Sequence, residues 1–294
     1  MKRLFFILSA ACVALAALAS CNSADEKKSP YARIGGEDVY RIATYNVGVF
    51  SKYEESSIIA VASLMTELDP DVLVLNEVDS CTSRTGNIHQ LATFVKAMPK
   101  GWEGQYAPAL KPYKGGAYGI AEAWNTNRMK EVGGFNVLLP KGEGSEYRAL
   151  VVKEYENMVV AGTHLEVKTE NMRLVQLGII TDTLTTLYGA SGKPVILCGD
   201  FNAYPDSKVL EVAKENWDVV SVAKTTYPKG DKWEGLGSVP QRVDETPGIC
   251  IDYIMVLKNG VNYEVLGSDV GVGFNAGSAL TASDHLPVFV DFRF

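Results

Sequence analysis

Residues 195–202 read Val-Ile-Leu-Cys-Gly-Asp-Phe-Asn, so four apolar residues are followed at once by glycine, aspartate and asparagine. A short apolar run with such boundaries is typical of a strand buried on both faces of a sheet. Polar groups at the ends of buried strands are where open sheets usually place ligands. Asp200 and Asn202 are therefore candidate site residues, although Gly, Asp and Asn also favour tight turns.

The same arrangement recurs along the chain. Similar apolar runs occur at 40–47, 72–75, 158–162, 251–256 and 288–292. Helical spacing of apolar residues predicts helices at 58–68, which Pro70 stops, at 174–187 and at 207–215. Many strands with fewer helices predict an α+β fold of stacked sheets with helices outside.

Polar residues also end or begin the other apolar runs. Each of them alone has a simpler interpretation: a turn asparagine, a solvated carboxylate or a structural histidine. Together they predict a single site at one edge of the sheets. They are Asn46, Glu77, His164 and the pair Asp284–His285.

Asp252 is harder to explain as a structural residue. It lies inside an apolar run between Ile251 and Tyr253, so its ionised form needs a partner or suffers a large desolvation penalty. His285 is the natural candidate, because an Asp–His pair orients the imidazole and stabilises its charged form.

The motifs Thr-Tyr-Asn-Val, Asn-Glu-Val, Thr-His-Leu, Gly-Asp-Phe-Asn, Cys-Ile-Asp-Tyr-Ile-Met and Ser-Asp-His-Leu-Pro occur in this order. Their order resembles the endonuclease/exonuclease/phosphatase superfamily, which includes pancreatic-type DNases, inositol polyphosphate 5-phosphatases and bacterial sphingomyelinases. The resemblance covers residues 39–294. It implies a DNase-like, four-layer α/β/β/α sandwich with two packed mixed sheets and the site at one edge.

The resemblance also implies roles for the site residues. A divalent metal site is implied at Asn46, Glu77 and Asp284. Positioning of the attacking water and the phosphate is implied for Asp200 and Asn202. Stabilisation of the phosphorane-like charge and proton transfer are implied for the remaining three: His164, Asp252 and His285.

The chemistry of these residue types agrees with that reading. Asn, Glu and Asp offer hard oxygen ligands and few charges, which suits Mg²⁺, with Mn²⁺ or Ca²⁺ as alternatives. Hydrolysis of a phosphate ester needs its non-bridging oxygens neutralised and a water placed in line. A metal with two imidazoles supplies the first requirement, and a carboxylate supplies the second.

Three residues are candidates for substrate binding. Arg84 follows Glu77 in a pattern similar to a bacterial branch of the superfamily, and a solvated loop arginine is the alternative. Arg173 opens the helix after His164, where a surface charge is the alternative. Tyr118 begins a segment that departs from related bacterial proteins, which makes it a candidate part of the substrate wall.

Two neighbouring features complete this part of the sequence. Arg148 is predicted to pair with Glu146 or with another carboxylate. Glu122 and Trp124 stand where relatives have apolar strand residues and Ser-Arg, so the substrate wall is expected to differ there.

The N-terminus has the features of a targeting segment. Lys2 and Arg3 precede an almost wholly apolar stretch, residues 4–18, which is too short to span a membrane. Leu18-Ala19-Ser20-Cys21 then resembles a lipobox, whose cysteine is lipidated. An ordinary signal peptide cut near the same place is the alternative.

These features predict three regions: a lipoprotein signal peptide at 1–20, a lipidated Cys21 with a flexible tether at 21–38, and one domain at 39–294. We expect an extracytoplasmic protein anchored by its N-terminal lipid to the bacterial outer membrane, where it could be exposed at the surface. Asn22 after the cysteine resembles outer-membrane sorting signals.

Charge and cysteine content restrict the partners. The net charge is −7, and loss of Lys2 and Arg3 with residues 1–20 would take it from −7 to −9. The chain has no dense basic run, which argues against tight binding of duplex nucleic acid. Outside the N-terminal segment only Cys81, Cys198 and Cys250 remain, so at most one disulfide can form. We expect a monomer.

Three functions remain open at this stage. The first is a divalent-metal-dependent phosphoesterase that hydrolyses a small or lipid-linked phosphomonoester or phosphodiester by in-line attack of water. The second is an extracellular nuclease for DNA or RNA, which the motifs permit and the charge does not favour. The third is a catalytically silent surface-binding lipoprotein on the same fold.

Overall fold

The computed structural model describes residues 28–36, 38–228 and 243–294. The predicted signal peptide and Cys21 lie outside the described residues. The α-helices are α1 (Ile58–Leu68), α2 (Gln90–Ala97), α3 (Glu170–Tyr188) and α4 (Lys208–Asn216). The strands are β1 (Val39–Asn46), β2 (Val72–Ser80), β3 (Trp102–Tyr113), β4 (Gly116–Asn125), β5 (Glu131–Leu139), β6 (Arg148–Tyr155), β7 (Val159–His164), β8 (Val195–Asp200), β9 (Trp217–Val219), β10 (Asp252–Leu257), β11 (Glu264–Val270), β12 (Gly273–Phe274), β13 (Gly277–Ser278) and β14 (Val288–Arg293).

Two six-stranded sheets form the centre of the molecule. Sheet one has the order β11-β14-β1-β2-β4-β3, and sheet two has the order β5-β6-β7-β8-β10-β9. Helices α1 and α2 pack on sheet one through residues such as Met65 and Phe94. Helices α3 and α4 pack on sheet two through residues such as Ile180 and Leu210. These four layers confirm the predicted DNase-like α/β/β/α sandwich.

The two sheets approach each other closely at Gly162 of β7. A Cβ atom placed there would lie 2.6 Å from Val74 Cγ1 of β2. Any larger residue would therefore push the sheets apart. This contact fixes the distance between sheets near the end of the molecule that carries the polar residues.

Strand direction explains why those polar residues meet. Strands β1 and β2 are parallel, and so are β7 and β8, where His164 lies opposite Asp200. Strand β10 runs antiparallel to β8, so its first residue, Asp252, also lies opposite Asp200. Strand β14 is antiparallel to β1, so Asp284 and His285, which precede it, lie at the same edge.

The segment before β1 packs more tightly than the sequence predicts. Residues 21–38 were expected to form a flexible tether, but the Tyr31 ring lies 4.7 Å from that of Phe274. Arg33 Nη1 lies 2.7 Å from Asp71 Oδ2, a carboxylate with no exposed surface. The packed region therefore begins before Val39.

Two further observations concern the described residues as a whole. Cys198 and Cys250 are buried, as predicted, Cys81 is exposed, and each of the three is a free thiol. None of the described helices combines the length and the hydropathy needed to cross a bilayer.

Candidate active site

A cavity of about 550 Å³ opens where the strands of both sheets end. The predicted residues Asn46 and Asp252 lie directly behind its wall, where both are buried. Most of the other predicted site residues border it, so the sequence pattern does converge on one place: Glu77, Tyr118, His164, Arg173, Asp200, Asn202, Asp284 and His285.

His285 is held as a cation between two carboxylates. Its Nδ1 donates to Asp252 Oδ2 over 2.9 Å, as predicted, and its Nε2 lies 3.7 Å from Asp200 Oδ2. Burial lowers the pKa of His285, but Asp252 and then Asp200 outweigh it and raise the pKa to about 10. The imidazolium is thus present at neutral pH, where it can stabilise negative charge and donate a proton.

Asp200 is positioned by four hydrogen bonds. Its Oδ2 accepts from Asn46 Nδ2 at 3.1 Å, and its Oδ1 accepts from the Asn202 N–H at 2.8 Å. Its own N–H donates to Asn76 Oδ1 at 3.1 Å, and its carbonyl accepts from the Leu165 N–H at 2.9 Å. Burial and the charge of Asp252 raise its pKa to about 7, a value suited to a general base.

His164 is a neutral imidazole, whereas His285 is protonated. Burial, followed by the nearby charges of Arg148 and His285, holds the pKa of His164 well below its usual range. The neutral ring can accept a hydrogen bond at Nε2, which lies 3.0 Å from Asn202 Nδ2. Because their surroundings move the two pKa values apart, His164 can accept a proton or hydrogen bond while His285 can donate one.

Asn46 lies among the carboxylates of the site. Its Oδ1 accepts from the Gly48 N–H at 3.1 Å, and its Nδ2 faces Glu77 Oε1 at 3.2 Å as well as Asp200. The turn after β1 needs an acceptor for the Gly48 N–H, and the amide oxygen of Asn46 supplies it. Asn46 thus orients two carboxylates, and its role as a metal ligand stays a prediction.

Glu77 and Asp284 present the carboxylates that a divalent cation would use. Glu77 sits at an irregularity in β2 with a φ of 57°, and such bulges re-aim side chains next to sites. Asp284 has Lys52 as its ion-pair partner on the cavity wall. Their hard oxygen donors fit Mg²⁺ or a similar ion.

A second group of possible ligands lies nearby. Asp200, Asp252 and His285 each have a ligand atom within 4.8 Å of the others. Asp252 does not border the cavity, and its Oδ2 is engaged by His285 Nδ1. Glu77 and Asp284 both border the cavity, so they are the candidate ligands for a cation arriving from solvent.

Arg84 does not contact this cavity, which corrects its predicted role in substrate binding. Its Nε and Nη2 donate to the carboxylate of Asp79, at 2.7 and 2.8 Å. Its guanidinium lies over the rings of Tyr113 and Tyr118, 5.1 and 5.2 Å from their centroids. Asp79 is fully buried and needs a cationic partner, so it holds Arg84 behind Tyr118.

Arg173 borders the cavity, as predicted, and also supports the loop after His164. Its Nη1 donates to the carbonyl oxygens of Glu166 and Val167, each at 3.0 Å. Gln176, one turn further along α3, accepts from the Glu166 N–H at 2.9 Å. Helix α3 thereby fixes the path of the chain beside His164.

The segment that departs from related proteins is not part of the cavity beyond Tyr118. Glu122 and Trp124 are buried between the sheets, where Glu122 Oε1 accepts from Tyr155 O–H at 2.8 Å. This corrects the expectation that they alter the substrate wall. Alternation along β4 turns both side chains toward sheet two.

Sequence reasoning missed several residues of the cavity wall. Glu146 and Arg148 form the predicted pair at 3.2 Å, but nothing in the sequence placed them at the site. Apart from Ile251, which belongs to the Cys-Ile-Asp-Tyr-Ile-Met motif, the apolar and aromatic members stand in loops that carry no motif. The residues not predicted for the site are Lys52, Glu146, Arg148, Val167, Tyr204, Tyr227, Ile249 and Ile251.

Comparison with known proteins places this geometry in a family. Human nocturnin is 26% identical over 268 residues, which cover 83% of this chain and 59% of nocturnin. The chain thus spans less than two thirds of that relative's length. Among solved structures, the mannosyl-6-phosphatase of Bacteroides thetaiotaomicron has a TM-score of 0.64 at 19% identity, covering 87% of this chain and 100% of its own. The human nocturnin catalytic domain with bound sulfate has a TM-score of 0.61 at 22% identity, covering 87% of this chain and 93% of its own.

The family model described as the endonuclease/exonuclease/phosphatase family matches residues 43–285. The match runs from β1 to His285 and so includes every residue assigned above to the reaction. The family and the solved neighbours are hydrolases that act on phosphoesters. The chain belongs to the endonuclease/exonuclease/phosphatase family.

Proposed function

We propose that this protein is a divalent-metal-dependent phosphoesterase that hydrolyses a small or lipid-linked phosphoester by in-line attack of water. One observation carries the proposal. Asp200 lies between a neutral histidine and a protonated one, with its Oδ2 3.5 Å from His164 Nε2 and 3.7 Å from His285 Nε2. A base flanked by a charge-stabilising cation is what attack on a phosphoryl group requires.

Each residue of the site has a separate role in the proposed hydrolysis. Asp200 orients the attacking water and takes up its proton. His285 donates to a phosphoryl oxygen, and Asp252 keeps His285 charged and aligned. Asn202 holds Asp200 and His164 in position through its hydrogen bonds to both. A divalent ion held by Glu77 and Asp284 would neutralise charge on the phosphoryl group and its leaving oxygen.

Two observations support a small phosphoester over duplex DNA. A mannosyl-6-phosphatase shares the fold, and the acidic net charge of −7 opposes contact with a polyanion. Monoester and diester substrates are both within the proposal, and their relative rates will define the preferred class.

The test is a substrate panel with Mg²⁺, Mn²⁺ or Ca²⁺. It compares p-nitrophenyl phosphate, bis-p-nitrophenyl phosphate, sugar phosphates, plasmid DNA and RNA. We expect hydrolysis that EDTA abolishes and that Asp200→Ala or His285→Ala lowers by roughly 10²–10⁴. Full activity in EDTA contradicts the metal requirement. Cleavage of nucleic acid alone supports the nuclease alternative, and inertness toward every compound supports a silent binding protein.

We also propose that Cys21 carries a lipid that anchors the protein outside the cytoplasm. The lipobox-like Leu18-Ala19-Ser20-Cys21 and the preceding apolar stretch support this. Labelled palmitate should be incorporated in bacteria that express the full chain, and Cys21→Ser should abolish both the label and membrane association. Equal labelling of Cys21→Ser contradicts the proposal.

A further inference from the structure

Lys52 forms an ion pair with one of the two candidate metal ligands. Its Nζ contacts Asp284 Oδ2, and both residues border the cavity together with Glu77. The side chain of Asp284 is 13% exposed, whereas that of Lys52 is 46% exposed. An ammonium that remains partly in solvent therefore covers a carboxylate that is mostly enclosed.

Glu77 also acts on the charge of Lys52. Burial lowers the pKa of Lys52, but Asp284 and then Glu77 outweigh it and raise the pKa above its ordinary value. One positive charge thus interacts with both carboxylates that a divalent cation would use. A cation bound there would have to share the carboxylates with this ammonium, and like charges at short range repel each other.

An unusual turn positions the backbone just before Lys52. Residues 48–50 are all left-handed, with φ values of 51°, 52° and 50°. Valine and phenylalanine rarely adopt this conformation, and residues held in it cluster at functional sites. Phe50 is fully buried and anchors the turn, with its ring 5.8 Å from that of Phe94 in α2. The fold therefore fixes where the flexible Lys52 side chain begins.

Gly48 lets this turn approach Asp284 closely. A Cβ atom on Gly48 would lie 3.3 Å from Lys52 Cβ and 3.4 Å from Asp284 Oδ1. Both distances are tighter than ordinary van der Waals contact allows without movement of the neighbour. A side chain at this position would thus press on both partners of the ion pair.

We propose that Lys52 and the divalent cation compete for Asp284, so that Lys52 sets how tightly the protein holds its metal. In the metal-free protein the ammonium neutralises Asp284. When the cation binds, it takes over this carboxylate, and the flexible Lys52 side chain moves into solvent. The inference rests on the proposed function for the identity of the metal site, but both of its tests are made without substrate.

The first experiment measures the Kd of Mn²⁺ by calorimetry for the full chain. Lys52→Met should lower this Kd by about three- to tenfold, because the competing ion pair and the charge repulsion are both lost. Lys52→Arg keeps the charge and should stay within about twofold of wild type. Lys258→Met is the control for loss of one positive charge. Lys258 is 42% exposed, pairs with Asp218 and follows β10 at the end away from Asp252, so its Kd should match wild type.

The second experiment follows the amine of Lys52 in the wild-type protein and needs no variant. The protein is treated with acetic anhydride with and without saturating Mg²⁺, and acetylation of each lysine is quantified by mass spectrometry. A released amine is more accessible to the reagent, so Mg²⁺ should increase acetylation of Lys52 by about two- to fivefold, the range that corresponds to one surface ion pair. Acetylation of Lys258 should not change.

Two results would overturn the competition. One is a Kd of Mn²⁺ that Lys52→Met leaves unchanged, and the other is acetylation of Lys52 that Mg²⁺ leaves unchanged. Failure of both wild type and Lys52→Met to bind Mn²⁺ would overturn it as well.

The proposed function can fail separately from this inference. Exchange of Lys52 for the metal in a protein that hydrolyses no phosphoester would refute the function and leave the competition standing. Metal-dependent hydrolysis with an unchanged Kd in Lys52→Met would refute the competition and leave the function standing.

Discussion

Arg84 acts on the cavity through an aromatic ring and not through its own charge. Its Nε and Nη2 donate to Asp79, and its flat face lies against Tyr118, which borders the cavity. Arg84 is thus a positioning residue for Tyr118. The nearby motif residues made a phosphate contact plausible, but a sequence does not show which donors are already occupied.

Arg84→Met should lower kcat/KM by roughly two- to fivefold, the equivalent of one cation–π contact of about 0.5–1 kcal/mol. The effect should appear in KM, because Tyr118 lines the wall and touches no reacting atom. Steady-state kinetics on the preferred substrate will measure it. A change confined to kcat would contradict this role.

Arg128 provides a matched control. It pairs with the buried Asp71 and is 27% exposed, against 30% for Arg84, and it lies 5.7 Å from the Tyr40 ring centroid. It is remote from the cavity lining. Arg128→Met should therefore cost similar stability in urea denaturation and leave KM unchanged.

The carboxyl group of Asp200 should make the metal-free protein less stable at high pH. Its pKa is raised from 3.8 to about 7, so the folded state holds a proton that the unfolded state has lost. The contribution is fully present below pH 3.8 and disappears as the pH rises through about 7. In EDTA, the free energy of unfolding of wild type should fall from pH 5 to pH 8 by at least about 1 kcal/mol more than that of Asp200→Asn. An equal change in the free energy of unfolding of the two proteins would refute the raised pKa of Asp200.

From the pattern of apolar runs alone, the candidate site could be predicted at residues that flank buried strands, whereas Tyr118 and Arg173 were found through the resemblance to the family. His164 and Asp200 follow apolar runs, so their position in the sheet edge could be deduced from pattern alone. Lys52 and Tyr204 stand in loops, where no periodicity links sequence to direction. Arg148 begins a strand, but only the tertiary fold shows that its end meets His164.

At the level of elements, six buried strands and three amphipathic helices were predictable, whereas the buried strand β6 and the partly exposed strand β5 were not. The predicted helix at 58–68 is α1, and Asp69 in the left-handed conformation ends it before Pro70. Strand β5 escaped prediction because it exposes Val132 and Leu138, which blurs its alternation. Helix α2 has eight residues, too few for a clear period.

Asn76 joins β2 of sheet one to β7 and β8 of sheet two. Its Nδ2 donates to the Thr163 carbonyl oxygen at 2.8 Å, and its Oδ1 accepts from the Asp200 N–H. Asn76→Ala leaves a buried donor and a buried acceptor unpaired, so we expect a loss of about 2–4 kcal/mol in the free energy of unfolding. Urea denaturation will measure it.

Asn136 of β5 is the control for Asn76. It also links the sheets, because its Nδ2 donates to the Tyr106 carbonyl oxygen of β3 at 2.9 Å, but it is exposed. Water can replace that bond, so Asn136→Ala should change stability by no more than about 0.5 kcal/mol. Equal losses in the two variants would show that burial does not govern the contribution of such links.

Across the whole molecule, the interior between the sheets contains an acid as well as apolar side chains. Glu122 is fully buried, and burial raises its pKa well above the usual range. Tyr155 holds one of its oxygens, and Lys153 Nζ lies 4.5 Å from the centre of the adjacent Trp124 ring. The neutral acid is therefore the form that joins the two sheets.

Alkaline pH should weaken the link that Glu122 and Tyr155 form between the two sheets. The stabilising contribution of protonated Glu122 is present below pH 4.5 and is lost as the pH rises through its raised pKa. Glu122→Gln cannot ionise, so its free energy of unfolding should fall less between pH 6 and pH 9 than that of wild type. Glu103→Gln, on the exposed face of β3, should behave as wild type. Identical pH dependence for Glu122→Gln would refute the assignment.

Strand β14 lies between β11 and β1 in sheet one. Without it, the sheet would have an open gap beside β1. The entry of β14 into this gap also brings Asp284 and His285, which precede it, to the cavity. Closure of the sheet and completion of the reaction centre are therefore a single event during folding.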